Sequence, residues 1–187
     1  MINLREELIK LYKELRTETK AEYNRVNPMV EDLTDWKERG EFLFGKNKNI
    51  TVYHTCTVNG KVEVGEFTWI GPYTALDGGK HGIKIGKYCS ISSGVNIIAH
   101  DTVKWALSGG KHAHEHAPIE IGDNCFIGTN AFISKGVKIG DCCIIGAGAV
   151  VTSDVPAFSI SMGVPARIKG RVVVKDEDVF IEYNDKL

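Results

Sequence analysis

Through the second half of the chain, large aliphatic residues return at every sixth position: Ile121, Ile127, Ile133, Ile139, Ile145 and Val151. Glycine directly follows four of them, at Gly122, Gly128, Gly140 and Gly146. A small residue stands four places after each, at Cys125, Ala131, Val137, Cys143, Ala149 and Val155. A helix repeats near 3.6 residues and a strand near 2, so this rhythm belongs to neither alone. It fits a coil with three flat faces, one hexad to a face. The large aliphatic points to the axis, and the small residue fills the space where a second bulky side chain would not fit. Three hexads close one turn, and stacked turns bury a continuous core that no single repeat could bury.

The same phase starts earlier, through Val52, Val58, Val64, Ile70 and Leu76. It is lost over Asp77-Gly78-Gly79-Lys80 and restarts at Ile85, nine residues after Leu76. That is one hexad plus a three-residue insertion, which predicts a loop at a corner. Ile85, Ile91, Ile97 and Val103 then run in register, with Cys89 and Val95 in the small slot. A longer break, HDTVKWALSGGKHAHEHAP, covers residues 100–118. Ile121 resumes eighteen residues after Val103, so this excursion is expected to replace or distort one turn. Long interruptions of a regular scaffold usually carry function.

The flanks read differently. Residues 1–19 predict an amphipathic helix with a stripe of Leu4, Leu8, Leu11, Tyr12 and Leu15. Asn27-Pro28 is a stop, and a second helix is expected over 30–39, ending at Gly40. Residues 1–50 thus form a helical cap that shields one open end of the coil. The coil itself covers 51–170, and Pro165 marks its end, because proline removes a backbone donor that a strand ladder needs. Residues 171–187 are a tail, with a short strand at Val172 to Val174 and an acidic segment of helical character after it.

A net charge of −1 gives no electrostatic case for binding nucleic acid or an anionic membrane. No apolar window reaches the length of a membrane span, and Met1 opens a charged helical segment rather than a signal peptide, so a soluble cytoplasmic protein is expected. Cys56, Cys89, Cys125 and Cys143 sit in the small inward slot and read as compact hydrophobes rather than metal ligands or disulfide partners; only Cys142 falls outside it.

His100 opens the excursion, in IIAHD. An imidazole titrating near neutrality suits the removal of a proton from an attacking hydroxyl or amine. Asp101 is adjacent in sequence, and adjacent side chains usually diverge, so it is not assigned to orienting that ring. His112, His114 and His116 alternate in HAHEHAP and would share one face of an extended strand, which raises a zinc site against a polar loop. Trp69, Tyr73 and Trp105 are candidates to stack on a sugar ring or base, or to form subunit contacts.

The hexads, the histidine that opens the excursion and the terminal GVPARIKG together resemble the hexapeptide-repeat acyltransferases, nearest to galactoside and maltose acetyltransferases and lipopolysaccharide O-acetyltransferases. The resemblance covers about residues 58–172. It implies an all-β solenoid, a left-handed parallel β-helix, assembled as a homotrimer whose active sites form between subunits. It implies acetyl-CoA as acyl donor with no metal, His100 as the general base, and a saccharide or nucleotide-sugar acceptor in surface polysaccharide synthesis. By motif it implies contacts to the coenzyme from Thr129, Ala147, Thr152, Arg167 and Lys169. Ser153 and Gly170 stand where relatives can carry basic residues. It also makes Asp77, in LDGGKHG, a candidate to hold an acceptor hydroxyl beside Tyr73 and Trp105. The alternatives are N-acetylation of a nucleotide-linked amino sugar, acetylation of a drug, a zinc-dependent carbonic anhydrase, and a structural β-helix protein.

Overall fold

A computed structural model describes residues 3–184. From Thr51 onward the chain visits three parallel sheets in strict rotation. The first sheet stacks strands Thr51–Val52, Trp69–Ile70, Ser90–Ile91, Phe126–Ile127, Ile144–Ile145 and Ser159–Met162. The second stacks Thr57–Asn59, Ala75–Asp77, Asn96–Ile98, Phe132–Ile133 and Val150–Val151. The third stacks Val62–Val64, Ile83–Ile85, Ile119–Ile121 and Lys138–Ile139, with a final bridge from Ile139 to Val155. Partners in register come from the same slot of successive hexads: Val52 on Ile70, Ile127 on Ile145, Ile133 on Val151. The hexad aliphatics of all three sheets from Ile70 to Val151, Ile97 and Ile133 among them, are buried, as are the small residues beside them.

Most corners turn through one left-handed residue placed directly before a small inward one. Asn124, Asn130 and Gly136 take φ of 57°, 59° and 81° before Cys125, Ala131 and Val137. Asparagine and glycine tolerate this region best. Cys142 occupies the same corner position at φ 55°, which accounts for the cysteine that falls outside the small slot. Tyr73 does so at φ 59°.

The excursion corrects the expected register. Ile85 pairs directly with Ile121, and Ile97 with Ile133. The segment between is therefore inserted between two intact turns and replaces neither. Val103, expected in phase, is 56% exposed and starts a short helix, Val103–Leu107.

The N-terminal region holds helices α1 (Leu4–Tyr23), α2 (Met29–Asp32) and α3 (Trp36–Phe44). The cap is α3 rather than the long α1, which buries no residue. Leu43 and Phe44 of α3 pack on the first turn of the core. Gly40 does not end a helix. It lies inside α3, where an added Cβ would sit 2.0 Å from the Ile50 carbonyl oxygen, so only glycine lets the helix approach this closely. Asp35 caps α3, accepting from the backbone N–H groups of Lys37 and Glu38. Glu31 of α2, 3% exposed, clamps the cap to the coil: its carboxylate accepts from Trp36 Nε1, the backbone N–H groups of His54 and Thr55, and Thr55 Oγ1.

The expected acidic helix after residue 176 is a strand. Arg167–Lys175 and Asp178–Tyr183 form an antiparallel hairpin appended to the first sheet through Ser159–Met162. Residues 1–2 and 185–187, the ends of the expected cap and tail, lie outside the described residues.

Candidate active site

The corner between the second and third sheets gathers the candidate chemistry. Asp77 ends one strand of the second sheet, and His100 follows the strand of the next turn. The Ala99 N–H donates to the Asp77 carbonyl, which ties the two levels together. Asp77 Oδ1 lies 3.7 Å from His100 Nδ1 and also accepts the Gly79 N–H at 3.1 Å. The Gly78 position is closed to any side chain, because a Cβ there would sit 2.0 Å from the Lys61 carbonyl oxygen. The loop that presents Asp77 therefore follows one path.

The excursion leaves the coil as a small antiparallel ladder, with Asp101 opposite Glu115 and His100 opposite His116. Cross-strand neighbours on one face come close enough to interact. The His100 and His116 rings stack with centroids 5.6 Å apart and 29° between planes. The two carboxylates opposite each other would repel, and Lys135, from the next turn of the coil, resolves this. Its Nζ lies 3.2 Å from both Asp101 Oδ2 and Glu115 Oε2, and Glu115 also pairs with Lys104. These contacts hold the Glu115 and Asp101 carboxyls below the usual range, the first through its lysines and the second chiefly through the Val103 N–H. They push the Lys135 ammonium up. His116 titrates below an ordinary histidine, first from burial and then from Lys80 and the surrounding imidazoles. His100 Nδ1 and His116 Nδ1 are both buried without a hydrogen-bond partner.

The remaining candidates divide between the two edges of the second sheet. Thr152 follows the Val150–Val151 strand and so lies on the His100 edge, two strands along. Thr129 and Ala147 lie on the opposite edge, exposed on successive turns, with the Thr129 carbonyl accepting the Gly148 N–H. Gly163 continues that stack, its carbonyl accepting the Val150 N–H. Arg167 and Lys169 are exposed on the hairpin strand, with the Arg167 guanidinium donating to the Ala166 carbonyl. One chain therefore does not gather the whole set around His100.

Tyr73 stands on the Thr129 edge, at the corner before Thr74, so a single chain does not bring it to Asp77. Trp69 is committed elsewhere, edge-on to Tyr53, which stacks on Trp36 at 3.9 Å. Trp105 stays 46% exposed on the excursion with His114 edge-on to it at 5.7 Å. The three alternating histidines do not share one strand face. Only His116 lies in the ladder, and the His112 N–H closes a turn onto Ser108 Oγ. Among the described residues no group of three His, Cys, Asp or Glu side chains is placed to hold a metal ion.

Sequence reasoning missed Lys135 and the pairing of His116 with His100. Lys135 shares its hexad, ISKGVK, with Lys138, and only the stacking of turns shows what it faces.

A family model described as the hexapeptide repeat of succinyl-transferase matches residues 118–153. Over 139 residues the chain is 30% identical to the galactoside O-acetyltransferase of Escherichia coli K12, covering 64% of this chain and 68% of that one. Protein CapG of Staphylococcus aureus is 49% identical over 86 residues, and there the chain spans 50% of its length. Among solved structures, AntD, an N-acyltransferase from Bacillus cereus in complex with dTDP and 3-hydroxybutyryl-CoA, superposes with a TM-score of 0.59 at 26% identity, covering 64% of this chain and 67% of AntD. The polySia-specific acetyltransferase NeuO gives 0.53 at 27%, covering 69% and 65%. With its hexads stacked in register and this likeness reaching across two thirds of the galactoside enzyme, the chain belongs to the hexapeptide-repeat acyltransferases.

Proposed function

We propose that the protein transfers an acetyl group from acetyl-CoA to a hydroxyl or amine of a saccharide or nucleotide-linked sugar, with His100 as general base. The observation that carries this is the placement of His100 beside Asp77, at the mouth of an insertion held by Lys135. With Nδ1 turned to Asp77, the other ring nitrogen is left for the acceptor. The acceptor's proton passes to His100 as its oxygen or nitrogen attacks the thioester carbonyl. The carbon–sulfur bond then breaks, and the proton passes on to the departing thiolate. Asp77 favours the imidazolium formed on the way, and backbone N–H groups near the thioester stabilise the oxyanion.

Thr129, Ala147, Thr152, Arg167 and Lys169 are the groups proposed to hold the coenzyme. The hexapeptide-repeat likeness supports a left-handed β-helix, and the separation of Thr129 and Ala147 from His100 across one sheet supports assembly as a homotrimer, in which one subunit supplies His100 and its neighbour the opposite edge. The galactoside enzyme and the AntD complex with dTDP-4-amino-4,6-dideoxyglucose support a sugar acceptor, and a place in surface polysaccharide synthesis is part of the proposal. Acetyl-CoA is an intracellular metabolite, which supports a cytoplasmic place of action. No described helix is long and apolar enough to cross a membrane.

The test is release of thiol from acetyl-CoA against a panel of free sugars, nucleotide sugars and aminoglycosides. Acceptor-dependent release that vanishes in His100→Ala is expected. Equal release by the variant would remove His100 from the reaction.

A further inference from the structure

The two loops beside His100 carry the same dipeptide, Lys80-His81 in one and Lys111-His112 in the other, the second followed by His114 and His116. The fold brings them to one corner. A Cβ on Gly79 would lie 2.9 Å from His116 Nδ1 and 3.8 Å from His100 Cβ. The His81 ring stands 6.2 Å from that of His116, with His100 5.6 Å away.

The acids of this corner are already engaged. Lys135 holds Asp101 and Glu115, Lys104 holds Glu115 as well, and Asp77 serves the Gly79 N–H and His100. Lys80, His81 and His114 have no ion-pair partner among the described residues. Lys80, between Gly79 and His81, is therefore a cation with no acid paired to it beside the proposed base.

We propose that Lys80, His81 and His116 form an anion subsite next to His100 that holds a carboxylate or phosphate group of the acceptor. The subsite rests on the acyltransferase reading above and narrows its acceptor to an acidic one. A lysine supplies full charge, and neutral imidazoles still donate N–H hydrogen bonds, so no histidine needs to be protonated. A coenzyme whose thioester reaches His100 would carry its diphosphate at the far end of the pantetheine arm, so the subsite is assigned to the acceptor.

The experiment follows the imidazole NMR signals of the full chain as glucuronate, inorganic phosphate or glucose is added. Glucuronate or phosphate is expected to shift His81 and His116 at millimolar concentration, and glucose to leave them in place. The tighter of the two anions identifies the acidic group as carboxylate or phosphoryl. Lys80→Glu should weaken that binding by at least about tenfold. No shift with either anion, or an unchanged titration in Lys80→Glu, would overturn the subsite. Calorimetric binding of coenzyme A to the same samples reports on the acyltransferase reading separately. Coenzyme bound without anion shifts refutes the subsite alone, and anion shifts without coenzyme binding refute the enzyme assignment alone.

Discussion

Lys135 reaches out from the coil to Asp101, Nζ to Oδ2 at 3.2 Å, and so fastens the first strand of the excursion to the turn that follows it. The same ammonium meets Glu115 on the second strand. Replacing it with methionine removes the one group shared by two facing carboxylates and frees both to repel. The expected outcome for Lys135→Met is a fall in kcat of about 10²-fold, the scale of a catalytic group displaced by about 1 Å, with coenzyme affinity and thermal unfolding close to wild type. A variant with unchanged kcat would show that the excursion holds its shape without this contact.

His100 and Asp77 should separate by magnitude. General-base assistance is worth about 10²–10⁴-fold, so His100→Ala should lose that much in kcat while coenzyme binding is preserved. Asp77→Asn keeps the side chain's size and its acceptor for the Gly79 N–H but removes the charge facing His100. A smaller loss than in His100→Ala is expected, because the imidazolium formed in the reaction loses its partner while the base itself remains. Equal losses in the two variants would make Asp77 a direct participant in the reaction.

Glu31 ties α2 to the first turn of the coil. Burial alone would raise its carboxyl, but the hydrogen bonds from Thr55, His54 and Trp36 outweigh that and lower it. A depressed folded value means that the ionised group stabilises the fold above the ordinary glutamate range. That stabilisation is lost as pH falls through the folded value. Glu31→Ala should cost about 3 kcal/mol at neutral pH, since four donors lose a charged acceptor. In chemical unfolding, the gap between wild type and variant should shrink steadily below the ordinary glutamate range. A gap independent of pH would refute the ionised clamp.

Gly79 has little room for change. It takes φ 49°, and a methyl group there would press on His116 Nδ1 at 2.9 Å. Gly79→Ala should lower kcat more than it lowers stability, as it displaces the ring stacked on His100. Stability is expected to fall by about 1 kcal/mol from the left-handed backbone. Unchanged kinetics would show that His116 yields without consequence for His100.

The coil was legible because its period is unlike that of any other element, and Ile121 to Val151 leave no other way to be buried. The inserted nature of the excursion was not. The segment adds a full turn's worth of residues, so Val103 falls in phase by arithmetic, and only the pairing of Ile85 with Ile121 reveals two adjacent turns. Gly40 looked like a stop because glycine ends helices more often than it lets one press against a backbone, which is its role beside Ile50. The final strand was hidden by acidic residues at its turn, where Lys175 pairs with Asp178 around a left-handed Asp176. In the candidate site, His100 and Asp77 were visible where the rhythm breaks, but Asp77 was read as a hold on the acceptor and its place beside His100 was not foreseen. Lys135 keeps the rhythm, and its partners lie far away in sequence, so nothing local marked it.

Since Ile85 meets Ile121 as though nothing stood between them, the load-carrying wall and the reactive appendage are separate pieces of one polypeptide. The appendage can lengthen, shorten or be exchanged for another without a single core side chain having to repack. A scaffold wired in this way can take on new acceptors by swapping a cassette between Ala99 and Ala117, whose backbones already join at the base of the loop.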